Sequence, residues 1–209
     1  MKKSRLIGLL LTSVLFIGAA NSQLFVSGHL LLNTTSSEST AGGTTAEGNS
    51  TLNFELVPKV GFFLSDKFAI GMGLGIETGK TTIPGVTETV IKSRDIIINP
   101  FARYYFANFG DVSLLAEGGL DLSLGSSKTT AGGISTDGPT ETDITIYVAP
   151  AISYDLSDNF SIEASIGEIS YELKNDKTDV GGVTTEDKDS EFTFRFDISA
   201  ITFGILYKF

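Results

Sequence analysis

The chain has 209 residues, with 15 Lys and Arg against 25 Asp and Glu, one histidine and no cysteine. A formal charge of −10 argues against nucleic acid as a partner, because phosphate binding needs the opposite sign. Without cysteine there are no disulfides, no thiolate metal sites and no cysteine-linked lipid anchor.

Residues 1–22 read as a secretory signal peptide. Lys2, Lys3 and Arg5 form a charged start, Leu6 to Ala20 is almost unbroken apolar, and small residues offer cleavage after Ala20 or Ser22. The apolar stretch falls short of the roughly 20 residues that span a bilayer. Its removal makes the chain three units more acidic and leaves 23–209 as one domain.

Eight strands are expected in that domain, at about 24–39, 46–64, 67–81, 87–106, 111–129, 135–156, 159–178 and 184–209. A hairpin pattern at 58–70 returns at 150–162, matching Pro58 with Pro150, Leu64 with Leu156, Asp66 with Asp158 and Phe68 with Phe160; a looser copy starts at Pro100. Between the copies lie Thr/Gly-rich tips at 80–87, 128–135 and 177–184, and a related one at 40–45. Their Gly-Gly or Pro-Gly pairs are expected to supply the positive φ of tight hairpin turns. Four long connections thus alternate with three short ones, the layout of an up-and-down transmembrane β-barrel with long extracellular loops and short periplasmic turns. Several strands exceed the 9–11 residues a tilted strand needs to cross a bilayer. Their Thr, Ser and Gly-rich ends are expected to project as four hairpin arms, whose open edges can pair with extracellular protein.

Each strand has one apolar face with period two, as in Phe54, Leu56, Val60, Phe62 and Leu64, then Phe68, Ile70, Met72, Leu74 and Ile76. The opposite face carries Glu55, Lys59, Asp95, Arg103, Glu117, Asp121, Asp143, Glu163, Arg195 and Asp197 among many small residues. Three features turn the apolar face toward lipid. The polar face is crowded with small side chains (Ala69, Gly71, Gly73, Gly75). Aromatics gather beside the short turns (Phe62, Phe63, Phe68; Tyr104, Tyr105, Phe106, Phe109; Tyr154, Phe160), as an interfacial girdle would. The chain also closes on alternating apolar residues up to Phe209. Two phase changes, between Ile166 and Ile169 and between Ile198 and Ile201, call for β-bulges near Gly167–Glu168 and near Ser199–Ala200, unless the upper segments have already left the membrane.

The start at Val26-Ser27-Gly28-His29-Leu30, the segments 57–64 and 69–75, and the end Phe203-Gly204-Ile205-Leu206-Tyr207-Lys208-Phe209 resemble the bacterial outer-membrane β-barrel domain family, akin to the small eight-stranded OmpA-type and OmpX-type barrels. The resemblance covers the whole chain after the signal and implies a monomer in the outer membrane, in contact with its lipid and lipopolysaccharide. It also implies that Phe203, Ile205, Tyr207 and Phe209 are the signal read by the barrel assembly machinery. Members include structural, adhesive and transport proteins.

Catalytic chemistry finds little support: His29 is the single histidine, no nucleophile motif surrounds any serine, and no cofactor motif is present. His29 is expected as a hydrogen-bonded lumen residue. Asp176, Asp179, Glu186, Asp187 and Asp189 read as a solvated loop interrupted by lysines, not as a compact calcium loop. The inward charges Glu55, Lys59, Arg103, Glu117, Asp121, Glu163, Arg195 and Asp197 bear on function most directly. Cross-strand pairs among them would plug a barrel wide enough only for its own side chains, whereas the excess of acids leaves room for a hydrated cation path. The expectation is a non-enzymatic barrel with a structural or surface-interaction role, with a narrow cation or small-solute channel as the alternative and a lipid-modifying enzyme as a distant third.

Overall fold

A computed structural model describes residues 23–41, 43–180, 182–196 and 201–209. The expected signal peptide at 1–22, Asp197 and the bulge expected near Ser199–Ala200 lie outside the described residues.

Alternation along the strands builds a single antiparallel sheet. Ten strands appear among the described residues: β1 (Leu24–Ala41), β2 (Thr44–Ser65), β3 (Phe68–Ile83), β4 (Thr89–Phe109), β5 (Val112–Ala131), β6 (Ile134–Asp155), β7 (Phe160–Ile166), β8 (Glu168–Val180), β9 (Val183–Arg195) and β10 (Ile201–Lys208). They make eight staves, because β7 and β8 follow one another in the seventh and β9 and β10 in the eighth. β10 pairs with β1, from Phe25↔Lys208 to His29↔Gly204, and this closes the ring. The closure is sealed where the termini meet: the Phe209 amide donates to the Leu24 carbonyl at 2.9 Å.

The apolar faces point outward and stay exposed, as at Leu30, Leu56, Met72, Ile96, Ile146 and Ile205. Such an exterior around a polar interior is stable only in a bilayer, where all spanning backbone groups must be bonded within the protein. β2 is 22 residues long, about twice what the crossing requires, so the wall runs on past the apolar band.

That upper wall differs from four separate arms. β2 stays paired with β3 up to Ser50↔Thr82, β4 with β5 up to Thr89↔Ala131, and β6 with β8 up to Thr140↔Lys177. The Thr-rich extensions therefore form a collar continuous with the barrel, because adjacent long strands keep satisfying one another's backbone groups. Among the described residues, β1 pairs with β10 up to His29↔Gly204 and with β2 along its length, and β9 pairs with β8.

The bulge at Gly167 is present. β6 meets β7 at Ala151↔Ser165 and β8 at Val148↔Ile169, one residue out of step, with Gly167 at φ 82° between them. Ile166 and Ile169 can thus both serve the outer face. A Cβ on Gly167 would collide with the Arg195 carbonyl oxygen. On the eighth stave Arg195 pairs with Glu168 and Ile201 with Ile166, on either side of the Gly167 bulge.

The tips at Gly43, Gly132–Gly133 and Gly182 have positive φ, as tight hairpins need. The Pro84-Gly85 tip does not: Gly85 is absent from the left-handed region, because residues 84–88 form a wider loop that makes no such demand.

Gly167→Ala should destabilise the barrel by about 1–3 kcal/mol, from backbone strain and the collision. Gly85→Ala should stay within about 0.5 kcal/mol of the parent. Urea unfolding of the two variants in liposomes checks the contrast.

Candidate functional site in the barrel lumen

Small residues inside the wall make room for large ones. Gly61 and Gly71 lie against the rings of Phe25 and Phe101, where any Cβ would overlap the ring carbons, and Gly75 faces Val57. The crowding expected of the glycine-rich stretch 71–75 is therefore real. It admits a buried apolar cluster of Phe25, Ala69, Phe101 and Leu206, with Phe63 packed against it. The Phe63 ring packs tilted against Phe25 at 5.2 Å and against Tyr105 at 5.5 Å between centroids. Phe63 and Tyr105 are therefore plug residues, not girdle residues, because each alternates inward between outward neighbours. Phe68, Tyr104, Phe106, Phe109 and Tyr154 remain outside, near the short turns.

An ionic layer rests on this apolar floor. Glu117 on β5 accepts from Lys59 Nζ at 2.5 Å, Arg103 Nε at 2.7 Å and the Tyr147 hydroxyl at 2.8 Å. Arg103 also donates to Glu163 at 2.9 Å. All four charged groups are buried, from 4% exposed at Arg103 to 9% at Glu117. The two cations sit over aromatic faces as well: Lys59 lies 5.1 Å from the Phe101 centroid, and Arg103 lies 5.2 Å from Phe101 and 5.4 Å from Phe25. Each charge is thus met by opposite charge, hydrogen bonds or π-density, the condition for tolerating it in a low-dielectric interior.

Above the layer the side chains spread apart. Asn99 donates to Asp121 at 2.7 Å and to the Tyr147 hydroxyl at 3.0 Å, and His29 meets Glu55 at 2.8 Å. A cavity of about 530 Å³ opens there, lined by Glu55, Glu77, Asp95, Asp121, Glu141 and Asp143 among others. Lys174 answers part of that charge, 3.4 Å from Glu141 and 3.8 Å from Asp176.

The eight lumen charges read from the sequence therefore divide. Lys59, Arg103, Glu117 and Glu163 form one network. Glu55 pairs with His29 and Asp121 with Asn99, both above it. Arg195 lines the cavity opposite Glu168 in the β8–β9 register, apart from the network. Asp197 is outside the described residues. Phe203, Ile205, Tyr207 and Phe209 all stand exposed on the outer face. Sequence reasoning missed Asn99, Tyr147 and the aromatic floor. Their parity with Arg103, Ser153 and Ser27 is the available signal, obscured because large apolar side chains in such a pattern read as lipid-facing.

On the collar, Glu186 accepts from Asn175 at 2.8 Å, with Lys188 at 3.5 Å and Lys177 at 3.7 Å. The Asn175 hydrogen bond, and then the two lysines, hold the Glu186 carboxyl below its usual range. No group of three or more acids or imidazoles converges to hold a metal ion among the described residues.

Comparison with solved structures gives the same architecture. A major outer membrane protein from Thermus thermophilus matches with a TM-score of 0.51 at 10% identity, over 90% of this chain and 100% of that one. The chain has the fold of the small outer-membrane β-barrels. Neisserial surface protein A matches with a TM-score of 0.38 at 14% identity, over 90% of this chain and 96% of that one. The attachment invasion locus protein of Yersinia pestis gives 0.34 at 14%, over 90% and 97%. No family model and no curated relative matches the chain. The exposed apolar exterior around a polar interior places this barrel across a bilayer.

Glu117→Ala leaves two buried cations without their shared partner and should cost about 3–5 kcal/mol. Replacing the whole layer (Lys59→Met, Arg103→Met, Glu117→Leu, Glu163→Leu) should recover most of that loss, because no buried charge is then left alone. Denaturant unfolding of the two variants against the parent measures both.

Proposed function

We propose that this outer-membrane barrel does not conduct and acts at the cell surface through its extracellular collar, binding other macromolecules in an adhesin-like role. The observation that carries the reading is the division of the lumen. The half nearest the short turns is filled by the Glu117 layer and the Phe25–Phe101 floor. The wall meanwhile extends well past the membrane on the other side, so the molecule is large outside while the passage inside is shut.

A cation channel is the second reading, favoured by the carboxylates of the upper lumen. It requires the floor to move, because Phe25, Ala69 and Leu206 are almost fully buried there. His29, bonded to Glu55, has the surroundings of a lumen histidine and offers no support for lipid-modifying chemistry.

Planar-bilayer recording separates the first two readings. The folded parent should be silent, and Phe25→Ala with Phe101→Ala should give cation-preferring steps. Steady conductance from the parent would favour the channel. Trimming the β1–β2 and β8–β9 extensions above Ser50 and Ser190 should abolish adhesion to host cells while the barrel still folds. Unchanged adhesion, serum survival and envelope integrity would count against the surface role.

A further inference from the structure

Charge on the wall built by β3, β4 and β5 is sorted by face. The acids of these strands all line the lumen, Glu117 in the ionic layer and Glu77, Asp95 and Asp121 in the vestibule above it. Of their cations, Arg103 alone joins them. Lys80, Lys92, Arg94 and Lys128 stand exposed on the outer face, at the parity of Ile76, Ile96 and Leu124. The outer face of three adjacent strands therefore holds no acid, in a chain whose acids outnumber its lysines and arginines 25 to 15.

The sheet register brings these cations together. Lys80 lies directly opposite Lys92, and Lys92 directly opposite Lys128, so three lysines form one rank across β3, β4 and β5. Neighbouring strands are about 4.8 Å apart, which gives the rank a width of about 10 Å. Arg94 sits two residues below Lys92, between Thr78 and Ser126. Like charges directly opposite one another destabilise a sheet. Asp137 answers Lys128 at 3.2 Å, but Lys80, Lys92 and Arg94 have no ion pair among the described residues. Elsewhere on the collar the lysines are matched, Lys174 to Glu141 and both Lys177 and Lys188 to Glu186. An anion from outside the chain would relieve the repulsion that this wall carries.

Height decides which anion. Ile76, Ile96 and Leu124 end the continuous outward apolar run of their strands. At the rise and tilt of barrel strands, Arg94 stands about 5 Å above that edge and the lysine rank about 10 Å. The polar headgroup layer of a bilayer occupies about the same depth beyond the hydrocarbon, and lysine stems bend toward it. A soluble polyanion would meet cations at the tips, not at the base of the collar. A phosphomonoester offers three acceptor oxygens and a charge of about −1.5 to −2, which suits several converging ammonium groups and a guanidinium fork better than a singly charged diester does. We propose that Lys80, Lys92, Arg94 and Lys128 form a site for the phosphomonoester headgroup of a lipid in the leaflet on the long-loop side. The site is independent of whether the lumen conducts.

The test uses the mature chain in phosphatidylcholine nanodiscs doped with phosphatidic acid, a monoester, or with phosphatidylglycerol, a diester, and NMR as the readout. Phosphatidic acid should shift the Arg94 side-chain Nε–H and the Lys92 backbone amide saturably, and phosphatidylglycerol should bind about tenfold more weakly. Lys80→Gln, Lys92→Gln and Arg94→Gln together should weaken phosphatidic acid binding about tenfold or more. Removing the same charge elsewhere, with Lys67→Gln, Lys177→Gln and Lys188→Gln, should change it by less than about twofold. Heat-modifiable gel mobility verifies folding, and the comparison of the two lipids on the parent stands without any variant. Equal binding of the two lipids, or equal loss in the two triple variants, would overturn the proposal. So would saturable shifts of the same groups by glycerol 3-phosphate or a heparin oligosaccharide at the affinity of phosphatidic acid, which would make the patch a soluble-anion site.

Discussion

Glu117 is the point on which the lower lumen depends. Its carboxylate accepts from Lys59, Arg103 and Tyr147, and Arg103 ties the group onward to Glu163. Those partners come from β2, β4, β5, β6 and β7, so one buried layer links most of the ring. A layer of this kind is costly to desolvate and costly to break, and it holds only while all its members are present. The aromatic floor beneath it excludes water and gives the cations a second favourable surface. The glycines of β2 and β3 are the steric condition for fitting that floor into eight staves.

Much of this was legible in the chain. Strand positions, the outward apolar face and the bulge at Gly167 followed from period-two alternation and its change of phase after Ile166, because a lipid-facing wall leaves a strict pattern. The members of the ionic layer were also visible, since charged residues at inward parity in a narrow barrel have few places to go. The grouping was not visible. Parity says that Glu55, Asp121 and Arg195 face inward but not how high they stand, and height depends on stagger between staves. The plug was hidden for a related reason: Phe25, Phe63 and Phe101 share the composition of the lipid face, and only their parity sets them apart.

The two halves of the molecule follow opposite rules. The lower half pairs the buried charges of the Glu117 layer and packs them on the Phe25–Phe101 cluster, which suits a fixed scaffold. Among the described residues, the upper half leaves Glu77 and Asp95 without an ion pair and an orphaned amide oxygen on Asn99. Such features are kept where something else completes them.

Because the chain has no cysteine, single cysteines can report on each level of the lumen. The most direct measurement is the rate at which a charged methanethiosulfonate modifies Ser123→Cys and Thr145→Cys in the vestibule, and Ser27→Cys and Ala69→Cys at the ionic layer and floor, in oriented vesicles. The division of the lumen predicts fast modification of the upper pair from the collar side only, and negligible modification of the lower pair from either side. Comparable rates at both levels would mean that water and ions pass the Glu117 layer, and would contradict it.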